Sequence, residues 1–261
     1  VVAFSRYVAI GDSQTEGLWD GDDSVGLVGF ADRLAEIIDS HCPGLHYANL
    51  AVRGRRIRDV LDEQLPRALE MEPDLVTVCV GMNDVTRPGR NFDTALRLLD
   101  EVYDTLAGTG ATVATTTFPD VTRILPVGRL IAGRVHRIND TIRGATERHG
   151  FALVDLYAAP SMTELDTWSD DRVHGSTLGH IRFTEAAVEA LGLPGGSHDW
   201  AHASGPPQRA TLREQVYAQL QWTRHMLLPW AWRHLQGRST GDGREPKRPQ
   251  LAPARPAAKS R

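Results

Sequence analysis

Short apolar runs rich in β-branched residues recur along the first part of the chain: Tyr7–Ile10, Tyr47–Ala51, Leu75–Val80, Thr112–Phe118 and Ala152–Leu156. Longer stretches lie between them, with apolar positions three and four residues apart: Gly29–His41, Ile57–Met71, Phe92–Ala107 and Arg129–His149. In the third of these, Leu96, Leu99, Val102, Tyr103 and Leu106 share one helical face. Gly108 and Gly110 stop that helix, and Pro66 predicts a kink or boundary inside the second. Strand–helix alternation at this spacing predicts an α/β domain on a parallel sheet with helices on both faces. Sheets of that kind bind ligands beyond the carboxyl ends of their strands, so the polar residues there carry the functional question.

The pattern changes after Leu193. Positions 1–195 read as the α/β domain, and the Gly, His and Pro-rich stretch that follows opens a linker with a Trp-rich helical extension, 196–237. Within that extension Trp222–Arg233 holds three tryptophans and Pro229. It reads either as an interfacial membrane anchor or as a helix packing on the domain, and the proline and modest length favour packing. Positions 238–261 are rich in Pro, Gly and Arg with few large apolar residues, and are expected to form a disordered tail.

Composition narrows the partners. The net charge of −4 divides into +5 on the tail and −9 on the rest, and an acidic body argues against nucleic acid. Cys42 and Cys79 are the only cysteines; neither has metal-site spacing, and both read as reduced packing residues. No run approaches the ~18 consecutive apolar residues of a membrane span. Together with an opening strand that leaves no room for a signal peptide, this makes the cytoplasm the expected location.

Three short blocks carry chemistry. Gly11-Asp12-Ser13-Gln14-Thr15-Glu16-Gly17 follows the first strand, where a serine stands clear of the sheet and its own N–H faces a developing oxyanion. Gly81-Met82-Asn83-Asp84 follows the third strand and offers a side-chain amide as an oxyanion donor. Asp171-Arg172-Val173-His174 precedes the last core helix; a spacing of three lets the carboxylate orient the imidazole on one helical turn or tight loop. Each block alone also fits an ordinary cap or turn, and Asp170 competes with Asp171 for the orienting role. Their joint occurrence, in order, points to nucleophilic acyl chemistry at Ser13 with His174 as base. Gly54, after the second strand, lets a main-chain N–H approach the same centre.

These blocks resemble the SGNH/GDSL hydrolase superfamily: Ser13 matches the nucleophile, Gly54 the second-block glycine, Asn83 the Gly-x-Asn-Asp block, and Asp171 with His174 the terminal block. The resemblance spans residue 7 to about 192. It implies a three-layer α/β/α flavodoxin-like fold with a central parallel sheet, hydrolysis of esters or thioesters without metal or cofactor, and an oxyanion hole of Ser13, Gly54 and Asn83. The expected activity is a serine ester hydrolase acting on small or medium acyl groups. A carbohydrate O-acetyl esterase or an acyltransferase is the alternative, and a non-catalytic binding module a more distant one. A small-molecule ester is the expected partner; oligomeric state is not legible.

Beyond the blocks, Trp19, Met82, Asp84, Phe118 and Trp168 are candidate walls of a substrate pocket by proximity in sequence. Asp12 is expected to orient the nucleophile turn. His180 is expected to begin the last core helix rather than act as a second base or ligand.

Overall fold

A computed structural model describes residues 3–87, 89, 91–125, 128–205 and 241–255. Its elements run β1 (Arg6–Gly11), α1 (Ser13–Glu16), β2 (Gly21–Asp22), β3 (Gly26–Leu27), α2 (Gly29–His41), β4 (His46–Asn49) and α3 (Ile57–Asp59). A π-helical turn, Val60–Gln64, leads to α4 (Leu65–Glu70), followed by β5 (Leu75–Cys79), α5 (Met82–Val85), α6 (Phe92–Ala107), β6 (Thr112–Thr116), α7 (Gly128–His149), β7 (Ala152–Val154), α8 (Thr177–Ala190) and β8 (Arg248–Pro253).

The main sheet has the order β7-β6-β5-β1-β4-β8, and β2 pairs with β3 in a separate small ribbon. Its first five strands run parallel, and β8 joins β4 antiparallel. Taken in chain order, the parallel strands follow the flavodoxin-like sequence 2-1-3-4-5, whose direction reverses between β1 and β5. All of β5 is buried, as a central strand covered on both faces must be. Helix α2 packs on α8, with the rings of Phe30 and Phe183 stacked 3.8 Å apart; α6 packs on α7 on the other side. The three-layer α/β/α architecture is therefore the one expected. No helix among the described residues is long and apolar enough to cross a membrane, and both cysteines are free.

Pro66 marks a boundary within the second helical stretch. It sits in the first turn of α4, directly after the π-helical turn. A proline lacks an N–H and crowds the preceding turn, and widening that turn accommodates it.

Two expectations about the C-terminal third need correction. Residues 196–205, read as the start of a linker, belong to the domain: Trp200 is buried and its indole donates to Glu189 at 2.6 Å, while Ser204 N–H donates to Glu164 at 2.7 Å. The tail expected to lack structure supplies β8. An edge strand is held by main-chain pairing and needs little apolar surface of its own, and prolines are tolerated on an edge. The basic residues add specific partners: Arg244 pairs with Asp23 at 2.8 Å, Lys247 with Asp32, and the Arg248 guanidinium lies 4.9 Å from the Tyr47 ring centroid. Composition registered the absence of a core here and missed these pairings. The Trp222–Arg233 segment lies outside the described residues.

Candidate active site

The site forms where β1 and β5 end side by side, with Gly11 opposite Cys79. Gly11 has φ +153°, and a Cβ there would stand 2.2 Å from the Cys79 carbonyl oxygen, so the chain crosses the end of β5 only with glycine. Asp12 then caps α1, accepting from Gln14 N–H at 3.3 Å, and places Ser13 as the first helical residue. Gly17, at φ +95°, ends the turn.

The last block is a tight loop. Trp168 bridges to Gly175, Ser169 N–H donates to the His174 carbonyl at 2.9 Å, and Arg172 turns the chain with φ +57°. Asp171 organises this loop. Its Oδ1 accepts from Ser169 Oγ at 2.8 Å, Val173 N–H at 2.8 Å and His174 N–H at 2.9 Å. Its Oδ2 accepts from His174 Nδ1–H at 2.6 Å and Trp19 Nε1–H at 2.8 Å. Burial pushes the Asp171 carboxyl up, but the hydrogen bond and charge of His174 and the two main-chain donors outweigh it and bring its pKa down to about 2. The carboxylate therefore stays ionised and accepts the hydrogen bond from Nδ1–H, which keeps that proton on the ring and leaves Nε2 as an acceptor. Ser13 Oγ lies 2.7 Å from that nitrogen.

Asn83 reaches the same corner from α5. Its Nδ2 donates to the Arg55 carbonyl at 2.9 Å and, at 3.3 Å, to Asp12 Oδ2. Gly54 precedes Arg55 in the loop after β4, with φ +79°. Ser13, Asn83 and His174 thus belong to one hydrogen-bonded neighbourhood, with Gly54 beside it. Asp12 is buried, and desolvation raises its pKa to about 7 against the hydrogen bond from Gln14 and the nearby charge of His174. Asp84 is raised to about 6, again mainly by burial; its Oδ2 accepts Ile57 N–H at 3.0 Å and so starts α3.

The remaining candidate walls separate. Trp19 is 43 % exposed, and Met82 is half-buried at the start of α5. Phe118 and Trp168 lie in the core instead, and the Trp168 indole is spent on the Met162 carbonyl at 2.9 Å. His180 lies inside α8, fully buried. Its Nδ1 accepts Phe30 N–H at 3.2 Å and its Nε2 donates to the Leu18 carbonyl at 3.0 Å.

Several positioning groups escaped the sequence reading. The Gln14 side chain brackets His174, donating to the Val173 carbonyl at 3.1 Å and accepting from Gly175 N–H at 3.2 Å. Gln64, in the π-helical turn, holds Gly11. Glu16 pairs with Arg53 at 2.8 Å, and Arg53 with Asp23 at 2.9 Å, coupling the nucleophile turn and the Gly54 loop to the ribbon and to Arg244. The only local signal was a polar residue next to the nucleophile.

Solved structures of known proteins share this fold. Among solved structures, the chain is similar to LAE5, an alpha/beta hydrolase from the metagenome of Lake Arreo, with TM-score 0.61 and 23 % identity over 74 % of this chain and 97 % of that one. It is also similar to Axe2, an acetylxylan esterase from Geobacillus stearothermophilus (TM-score 0.60, 18 % identity, 76 % and 96 % covered). The acetyl xylan esterase AlAXEase follows (TM-score 0.58, 18 % identity, 71 % and 99 % covered). At these identities the likeness is one of fold. No curated protein sequence matches. The GDSL-like lipase/acylhydrolase family matches residues 9–182, two-thirds of the sequence, with Ser13, Gly54, Asn83, Asp171 and His174 all inside the matched span. The chain belongs to the GDSL-like lipase/acylhydrolase family, and is a hydrolase of the SGNH fold.

Proposed function

We propose that the protein is a serine esterase that cleaves carboxylic esters of small or medium acyl groups through an acyl-Ser13 intermediate. The observation that carries this reading is the relay from Ser13 Oγ to His174 Nε2 at 2.7 Å and from His174 Nδ1 to Asp171 at 2.6 Å. Ser13 Oγ attacks the acyl carbonyl carbon as its proton passes to Nε2, and the imidazolium returns that proton to the leaving alkoxide. Water, activated by the same imidazole, then releases the acid and restores the serine. Ser13 N–H, Gly54 N–H and Asn83 Nδ2–H are the proposed oxyanion donors. The Asn83 bond to Arg55 anchors the amide, and its long contact with Asp12 is the one that yields to the developing charge.

A second reading, removal of acetyl groups from a carbohydrate, is favoured by the activity of two of the similar structures, both acetyl xylan esterases. A panel of p-nitrophenyl esters of rising chain length separates the two: activity confined to acetate favours deacetylation, and activity that extends to medium chains favours the broader esterase. The serine mechanism is tested by labelling with a fluorophosphonate. The expected adduct sits on Ser13 and is absent from Ser13→Ala; stoichiometric labelling of that variant would refute the assignment.

A further inference from the structure

Trp19 has a left-handed backbone, φ +72°, which is strained for a residue with a large side chain. Both neighbours are clamped. Leu18 N–H donates to the Ser13 carbonyl at 3.0 Å, and the Leu18 carbonyl accepts from His180. On the other side the Asp20 carboxylate accepts from Arg33 Nε at 2.9 Å and from Gly29 N–H at 3.1 Å. What this rigid frame presents is an indole that stays 43 % exposed, so apolar burial is not what the strain secures. It aims Nε1–H at Asp171 Oδ2, the oxygen that also accepts from His174 Nδ1.

We propose that Trp19 is a positioning residue for ester cleavage, its indole N–H locking the Asp171 carboxylate so that Oδ2 faces His174 Nδ1. The proposal rests on the serine-esterase reading. The loop donors fix Oδ1 from within the loop, whereas Trp19 is the donor that ties Oδ2 to the nucleophile's own segment, 152 positions earlier. Trp19 therefore registers the base loop against the Ser13 turn. It also withdraws charge from the oxygen that supports the imidazolium. Among the described residues, Asp12, in the nucleophile turn, and His180, on α8, are titratable groups that face this pair from other elements, and Asp170 and Arg172 flank it on its own loop.

The test is Trp19→Phe, which keeps a ring and removes the donor, assayed on a p-nitrophenyl ester across pH with fluorophosphonate titration counting competent sites. kcat per titrated site is expected to fall by roughly tenfold, the scale of one charge-assisted hydrogen bond, with KM within about twofold. The kcat/KM pH profile is expected to differ from the parent's in its acid limb, because Oδ2 then interacts undivided with the imidazole. A rise in KM alone, or a superimposable pH profile with kcat within about twofold of the parent, overturns the proposal and makes Trp19 a pocket wall. Parent protein that is neither labelled at Ser13 nor active on any ester overturns the esterase reading itself, and this proposal with it.

Discussion

Gln64 holds both main-chain groups of Gly11: its Oε1 accepts the glycine N–H at 2.8 Å and its Nε2 donates to the glycine carbonyl at 2.9 Å. The side chain thus completes the end of β1 where β4 no longer supplies partners, one residue before Asp12 and two before Ser13. It can do so because the turn containing it is π-helical, which brings this position against the strand end.

Replacing Gln64 by Leu leaves two buried main-chain groups without partners. Unfolding free energy is expected to drop by about 2–4 kcal/mol, and kcat/KM at a temperature where the variant is folded by about tenfold or more. Urea unfolding and steady-state kinetics measure the two effects. Lost stability with unchanged kcat/KM would mean that Gln64 only supports the sheet and does not aim the nucleophile.

Asn83→Ala removes the proposed side-chain donor of the oxyanion hole together with its bond to Arg55. Turnover should fall by about 10²–10³-fold, as for loss of one such donor, while stability changes by only about 1 kcal/mol. Rapid-quench measurement of the acylation step is the direct check. A variant that acylates within a few-fold of the parent rate leaves Asn83 as a structural tie between α5 and the loop after β4.

His180 makes stability depend on pH. Burial holds its pKa down at about 4, against an ordinary value of 6.5, and outweighs the hydrogen bond to the Leu18 carbonyl, which favours the protonated ring. Between those values the unfolded chain binds more protons than the folded one, so this group's contribution declines as pH falls from neutral towards 4. The full effect is up to about 3 kcal/mol. Asp12, Asp32 and Asp84, with pKa values raised to about 7, 6 and 6 by burial, act in the opposite direction. The raw stability curve therefore mixes the two signs, and the difference between the parent and His180→Gln isolates the histidine. That difference should shrink from pH 7 to pH 4.5 in urea titrations; parallel curves would sink the explanation.

The sequence disclosed whatever depends on neighbours along the chain. Gly29–His41 and Phe92–Ala107 were readable as helices because their apolar residues repeat on one face, and α2 and α6 occupy those spans. Ser13, Asn83 and His174 stood out because each follows a strand end or precedes a helix, and the 2-1-3-4-5 order brings those ends together. What stayed hidden depends on partners far away. The Trp19 bond to Asp171 spans 152 positions and the Gln14 bond to Gly175 spans 161, and neither residue type announces such a role. Phe118 and Trp168, close in sequence to the candidate residues, are buried among apolar side chains because proximity along the chain says nothing of which way a side chain points. β8 was missed for a related reason: its stability comes from the strand it meets, and its own composition resembles that of an unstructured segment.

That edge strand has a consequence for biosynthesis. β4 leaves the ribosome long before β8 exists, so a nascent chain carries an uncovered row of main-chain donors and acceptors along His46–Asn49 for much of its translation. Such a row accepts any extended segment, including the same segment of a neighbouring copy. Trimming the protein before Arg248 in the belief that a basic tail is dispensable would make that transient hazard permanent.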